Sequence, residues 1–130
     1  MSTSLRQPAG TKLTPLEQVL CEMNQAGGFQ VSLLTSTDGL PIATVPAAYD
    51  SDFMAAMVAL IQMACNDAQG QLGMANVDEV SIRDRDHSRL VCRYVVVGNE
   101  KLILSAMVPA SHSYRRVTNQ AIRRIRRLLF

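Results

Sequence analysis

The sequence predicts an α+β domain in which helices cover a sheet built mainly from antiparallel strands. Three features of the chain lead there. Segments of helical and of strand period follow one another in the order α, β, β, α, β, β, β, α. Two of the strand connections are hairpin-short, around Thr37-Asp38-Gly39 and Gly98-Asn99-Glu100, and connections that short join antiparallel neighbours. Ser51 to Leu72 reads as one long helix whose apolar residues overfill a single stripe, so it belongs at the centre of the packing.

Residues 1–12 carry almost nothing to bury and are expected to form a flexible tail, leaving 13–130 as a single domain. Thr14 is a good N-cap, Pro15 fits the first helical position, and Glu17 completes a capping box. Leu16, Val19, Leu20 and Met23 follow at helical spacing, and Gly27-Gly28 ends the helix. Phe29 to Ser36 is strand-like. Asp38-Gly39 suits the positive φ of a tight turn, and Leu40 to Val45 returns as a second strand. Pro41 lacks a ladder donor, which puts that strand at a sheet edge or makes it irregular. After the connector Pro46–Tyr49, Asp50 or Ser51 caps the long helix.

In that helix Phe53, Met57, Leu60, Ala64 and Ala68 mark one face, while Met54, Val58, Ile61, Cys65 and Leu72 widen it. Its strongly apolar run, Phe53 to Ile61, falls far short of the roughly 20 residues a bilayer requires. Gly70 and Gly73 close it. Val77 to Asp84 alternates as a third strand, Arg85-Asp86-His87-Ser88 turns, and Arg89 to Val97 and Lys101 to Val108 are the fourth and fifth strands. Pro109–Ser113 leads to a last helix, Tyr114 to Leu129, striped by Val117, Ala121, Ile122, Ile125, Leu128 and Leu129.

With 48% hydrophobic and 18% charged residues, the chain has the balance of a folded domain rather than a disordered one. The net charge of +2 hides an asymmetry. Residues 113–130 hold six arginines and no acid, while the rest carries seven Lys+Arg against eleven Asp+Glu. Such bipolar charge favours partners. Cys21, Cys65 and Cys92 lie in apolar patterns without C-x-x-C spacing, as reduced buried thiols do. Residues 1–14 have no apolar segment of signal-peptide type, so a cytoplasmic location is the default expectation.

No catalytic constellation emerges. His87 and His112 fall in expected turns, where histidines are ordinarily just solvated. No serine sits in G-x-S-x-G, and the histidines and cysteines lack metal-ligand spacing. There is no G-x-x-x-x-G-K-[ST], and Gly27-Gly28 precedes a strand, whereas phosphate cradles precede a helix. The reading is therefore a non-enzyme without cofactor or metal.

The chain resembles the Roadblock family of small regulators, which includes dynein light chains and bacterial MglB-like proteins. The residues that carry this are Gly28-Phe29-Gln30-Val31-Ser32-Leu33-Leu34, Thr37-Asp38-Gly39-Leu40-Pro41-Ile42-Ala43, the Ala/Met-rich helix from Phe53, and Leu102-Ile103-Leu104. The resemblance covers residues 13–129. It implies a five-stranded antiparallel sheet of profilin-like architecture with the long central helix on one face. It also implies a dimer formed through that helix and the third strand, and a partner that is a Ras-like small GTPase. The alternative is an interaction subunit of a motor, sensor kinase or membrane-associated signalling complex that touches no GTPase.

Two surfaces follow as expectations. Met54, Met57, Val58, Ile61 and Cys65 are the candidates for contact with the same helix of a second copy. Ala55 and Ala59 would admit a close approach on the other flank. Arg116, Arg123, Arg126 and Arg127 of the last helix form either a solvated face or a docking surface for an acidic protein or an anionic membrane. Nucleic acid fits less well, because no aromatic stacking platform accompanies the charge.

Overall fold

The structure, a computed structural model, describes residues 12–129. The expected tail over 1–12 lies outside the described residues except for Lys12. The first helix, α1 (Pro15–Gly27), begins as its capping box dictates. Thr14 N donates to Glu17 Oε1 at 2.8 Å and Glu17 N donates to Thr14 Oγ1 at 3.2 Å. It ends at Gly28, whose φ of 73° is left-handed. The chain then enters β1 (Ser32–Ser36) and β2 (Pro41–Val45). The strand expected from Phe29 starts three residues later, because Phe29 N is bonded back to Asn24 O at 3.0 Å and its buried ring packs beside the helix end.

The remaining elements are α2 (Ser51–Gln71), β3 (Glu79–Arg83), β4 (Arg89–Val97), β5 (Glu100–Val108) and α3 (Arg115–Leu129). All five strands join one antiparallel sheet in the order β2-β1-β5-β4-β3. β2 is an edge strand, as Pro41 required, and the register slips between Leu34 and Thr35 where Thr35 faces Pro41. β3 is the other edge.

Successive residues of a strand point to opposite faces, so the sheet is buried on both sides. Leu34, Val91, Val95 and Leu104 pack under α1 and α3, together with Leu20, Ile122 and Ile125. Leu33, Cys92, Tyr94 and Ile103 face α2. The result is three layers, with α1 and α3 on one side of the sheet and α2 alone on the other. α2 has a whole sheet face to itself, and this decides which of its residues remain exposed.

Candidate interaction site

A helix turns roughly 100° per residue, so the residues of α2 sort by where the sheet lies. Met54, Ala55, Val58 and Cys65 are buried against it, with Ile61 and Gln62 half-buried beside them. One flank is fixed by the β1–β2 turn. A Cβ on Gly39 would stand 2.8 Å from Ala55 O and 3.0 Å from Ala59 Cβ. The close approach expected at Ala55 and Ala59 is therefore made by the chain's own hairpin. On the opposite flank Phe53, Met57, Leu60 and Ala64 form a ridge in solvent, with Phe53 74% and Leu60 61% exposed.

Burial divides the residues that the sequence singles out on α2. Of the five residues expected to meet a second copy, Met54, Val58 and Cys65 are turned into the chain's own core and Ile61 half so. Only Met57 stands clearly outward. The physical reason is that α2 is apolar over most of its circumference. Periodicity then marks no preferred side, and the arc that faces the sheet is set by the Gly39 contact, which hydrophobic spacing does not encode.

The exposed ridge lies on the flank of α2 away from β2, toward the β3 side of the sheet. β3 presents one unpaired row of backbone donors and acceptors among the described residues. Its Ile82, opposite Leu90 in the register, shares the α2 face of the sheet and is 49% exposed. Sequence reasoning found the helix but missed Ile82, since its alternating neighbours read as an ordinary strand.

The arginines divide into two groups. Arg115 reaches Glu79 at 2.5 Å and Asp78 at 3.8 Å, and Arg124 pairs with Glu22 at 2.5 Å. Gln18 Nε2 also donates to Glu22 Oε2 at 2.5 Å, and this bond first and the one from Arg124 next hold the Glu22 carboxyl below its usual value. Arg116, Arg123, Arg126 and Arg127 are exposed and meet no acid within ion-pair distance among the described residues. Arg126 and Arg127 also border an open cleft of about 390 Å³ against Val96, Val97 and Gly98.

Among the described residues the two histidines lie apart from the buried cysteines. His87 sits in the exposed β3–β4 turn at φ 70°, whereas His112 lies exposed before α3 with its Nδ1 3.0 Å from Ala110 O. Cys92 and Cys21 are buried, and burial raises both thiols above their ordinary range, which keeps them protonated and unreactive at neutral pH. No cluster of three or more metal-ligating side chains occurs among the described residues. Nor is any helix there long and apolar enough to cross a membrane.

Fold and surface together define a small three-layer α+β domain that exposes an apolar helix flank and an open strand edge. The chain belongs to the Roadblock/LC7 domain family, whose model matches residues 15–99. It is similar in structure to Myxococcus xanthus MglB, with a TM-score of 0.76, 15% identity, and coverage of 91% of this chain and 97% of that one. It is also similar to an MglB described as having a tetrameric arrangement, with a TM-score of 0.72, 19% identity and coverage of 95% and 97%. Acanthamoeba castellanii profilin IB shares the architecture at a TM-score of 0.52, 16% identity and coverage of 82% and 92%. The comparison with curated proteins returned no match.

Proposed function

We propose that this chain is a homodimeric, non-enzymatic regulator or scaffold of a Ras-like small GTPase, acting in the cytoplasm and modulating the partner's GTP hydrolysis. The observation that carries the self-association is the Phe53–Met57–Leu60–Ala64 ridge beside the open β3 edge. Pairing β3 with its twin around a two-fold axis satisfies the free backbone groups and makes one sheet across both copies. The same operation brings the two α2 ridges together on one side of that sheet. Met57 and Ile61 keep a place at this contact, and Met54, Val58 and Cys65 support it from beneath. The tetrameric arrangement of one MglB relative is in keeping with self-association.

The GTPase partner is supported by family membership and by the lack of a nucleotide motif in the chain itself, which leaves the chemistry to the partner. A second reading, an interaction subunit of a motor, sensor kinase or membrane-associated complex without GTPase contact, is favoured by the acid-free basic face of α3. The two are separated by mixing the purified protein with Ras-like GTPases of the same genome, loaded with GDP or with a non-hydrolysable GTP analogue. Co-elution that depends on the nucleotide supports the first reading. Failure with every GTPase in both states removes it and leaves the second. Light scattering on the protein alone reports the dimer independently.

A further inference from the structure

We propose that the solvent face of α3 docks the protein on an anionic lipid surface. At roughly 100° per residue, Arg116, Arg123 and Arg127 stand in line directly opposite the buried stripe of Thr118, Ala121, Ile122 and Ile125, spread over about 16 Å of helix. Arg126 flanks them. All four guanidiniums are exposed and none is neutralised by an acid among the described residues, whereas Arg115 and Arg124 are already engaged with Glu79 and Glu22. α3 itself contains no acid. Asp50, Asp52 and Asp67, on α2 and its cap, belong to the opposite face of the sheet. α1, beside α3, adds Glu17 and Glu22, of which Glu22 is already paired with Arg124. The α1–α3 side nevertheless keeps an excess of arginines over acids while α2 carries only acids, so a negatively charged surface turns α3 toward itself and α2 away.

What selects a lipid surface over an acidic protein is the absence of an anchor. Protein interfaces draw most of their energy from a few desolvated, well-packed side chains. Between Arg116 and Arg127 no large apolar side chain is exposed, and the residues interleaved on this face are the polar Asn119 and Gln120. Attraction to a membrane needs no anchor, only an array of cations within a Debye length of anionic headgroups. Apolar surface appears only at the end of the helix, where Leu128 and Leu129 are exposed and Val96 borders the cleft beside Arg126 and Arg127. That end is fitted to dip into the headgroup region. In the proposed dimer the two-fold axis stands perpendicular to the sheet. Both α3 helices would then share one face and bind with avidity. That extension rests on the dimer reading, but the charge array of a single copy does not.

Sedimentation with phosphatidylcholine vesicles, with and without phosphatidylserine, tests the proposal. Retention is expected only with phosphatidylserine and is released by salt. Each arginine near such a surface favours binding roughly fivefold, so Arg116→Gln, Arg123→Gln and Arg127→Gln together lower partitioning about a hundredfold. All three positions are exposed, so the variants fold. No retention at low salt, or an undiminished triple variant, overturns the proposal. So does an Arg124→Gln loss as large as that of Arg123→Gln, because Arg124 is already paired and net charge would then be the cause. Stronger retention on immobilised polyglutamate than on the vesicles at equal salt would assign the face to an acidic protein instead. A variant or wild-type dimer, verified by light scattering, that fails to bind vesicles counts against α3 and not against the dimer.

Discussion

Arg93 Nη1 donates to Thr118 Oγ1 at 2.8 Å inside the layer between β4 and α3, where Arg93 is 6% and Thr118 2% exposed. The same nitrogen donates to Asn119, and Arg93 Nε lies 3.8 Å from Glu79 Oε1. Glu79 in turn accepts from Tyr114 and Arg115. A charged side chain so deep in a sheet is tolerated only with such partners. Together they clasp the β3 edge and the first turns of α3 to the middle of the sheet. Arg93→Ala, which leaves Thr118 and Asn119 facing a void, is expected to cost about 2–3 kcal/mol. Arg93→Lys restores only part of it, since an ammonium lacks the planar fork. Urea midpoints measured at constant slope decide it. An unchanged Arg93→Ala midpoint would show that the network contributes nothing net.

Gly39 carries two constraints at once. Its φ is 84°, and a Cβ there would meet the Ala55 carbonyl oxygen at 2.8 Å. Gly39→Ala is expected to destabilise the domain by about 2 kcal/mol, and Gly39→Val by more, because the β1–β2 turn must lift from α2. Ala59→Gly relieves only the 3.0 Å Cβ contact, not the carbonyl clash, and should rescue Gly39→Ala weakly. Thermal unfolding of the three variants measures both effects.

The turn at Gly39 also shows what the sequence could and could not say. Asp38-Gly39 announced a hairpin, yet only Gly39 takes positive φ, and Ser36 N bonds Leu40 O at 3.0 Å across a three-residue loop. Element order, the capping box at Thr14 and the edge position of β2 were legible because each is written in local residue chemistry. The pairing of β1 with β5, the placement of β3 at the open edge and the arc of α2 that meets the sheet depend on long-range contact. Ser32 opposite Ala106 leaves no local trace. The basic residues of α3 were legible, but the engagement of Arg115 and Arg124 was not, since their partners Glu79 and Glu22 lie far away in the chain.

Cys92 and Tyr94 give the domain an alkaline limit. Burial raises the Cys92 thiol above its ordinary 9.0 and raises the Tyr94 phenol too, with Cys65 adding to both. Both groups hold their protons more tightly folded than unfolded. Their contribution is therefore whole below the unfolded thiol pKa and is lost as pH rises through the folded values. Denaturant midpoints are expected to fall steadily above about pH 9. Tyr94→Phe together with Cys92→Ala should flatten that limb while lowering stability at neutral pH. A wild-type profile flat to pH 11 would contradict this.

Leu60 and Val58 stand two residues apart on α2 and should respond in opposite ways to the same change. Val58 is fully buried between Cys92, Tyr94 and Ile103, so Val58→Glu places a carboxylate in the core and is expected to abolish folding. Leu60 is 61% exposed and costs the isolated chain little, so Leu60→Glu should fold with an unchanged circular dichroism spectrum. If two ridges meet in a dimer, each copy buries Phe53, Met57 and Leu60, a gain of about 1.5–3 kcal/mol per side chain. A carboxylate at Leu60 then faces its twin or apolar surface across the two-fold axis, and light scattering should report a folded monomer. Ile82→Lys on β3 is expected to weaken the same dimer from the sheet side. Leu60→Glu and Ile82→Lys proteins that both remain dimeric would place the interface elsewhere and leave the ridge to a different partner.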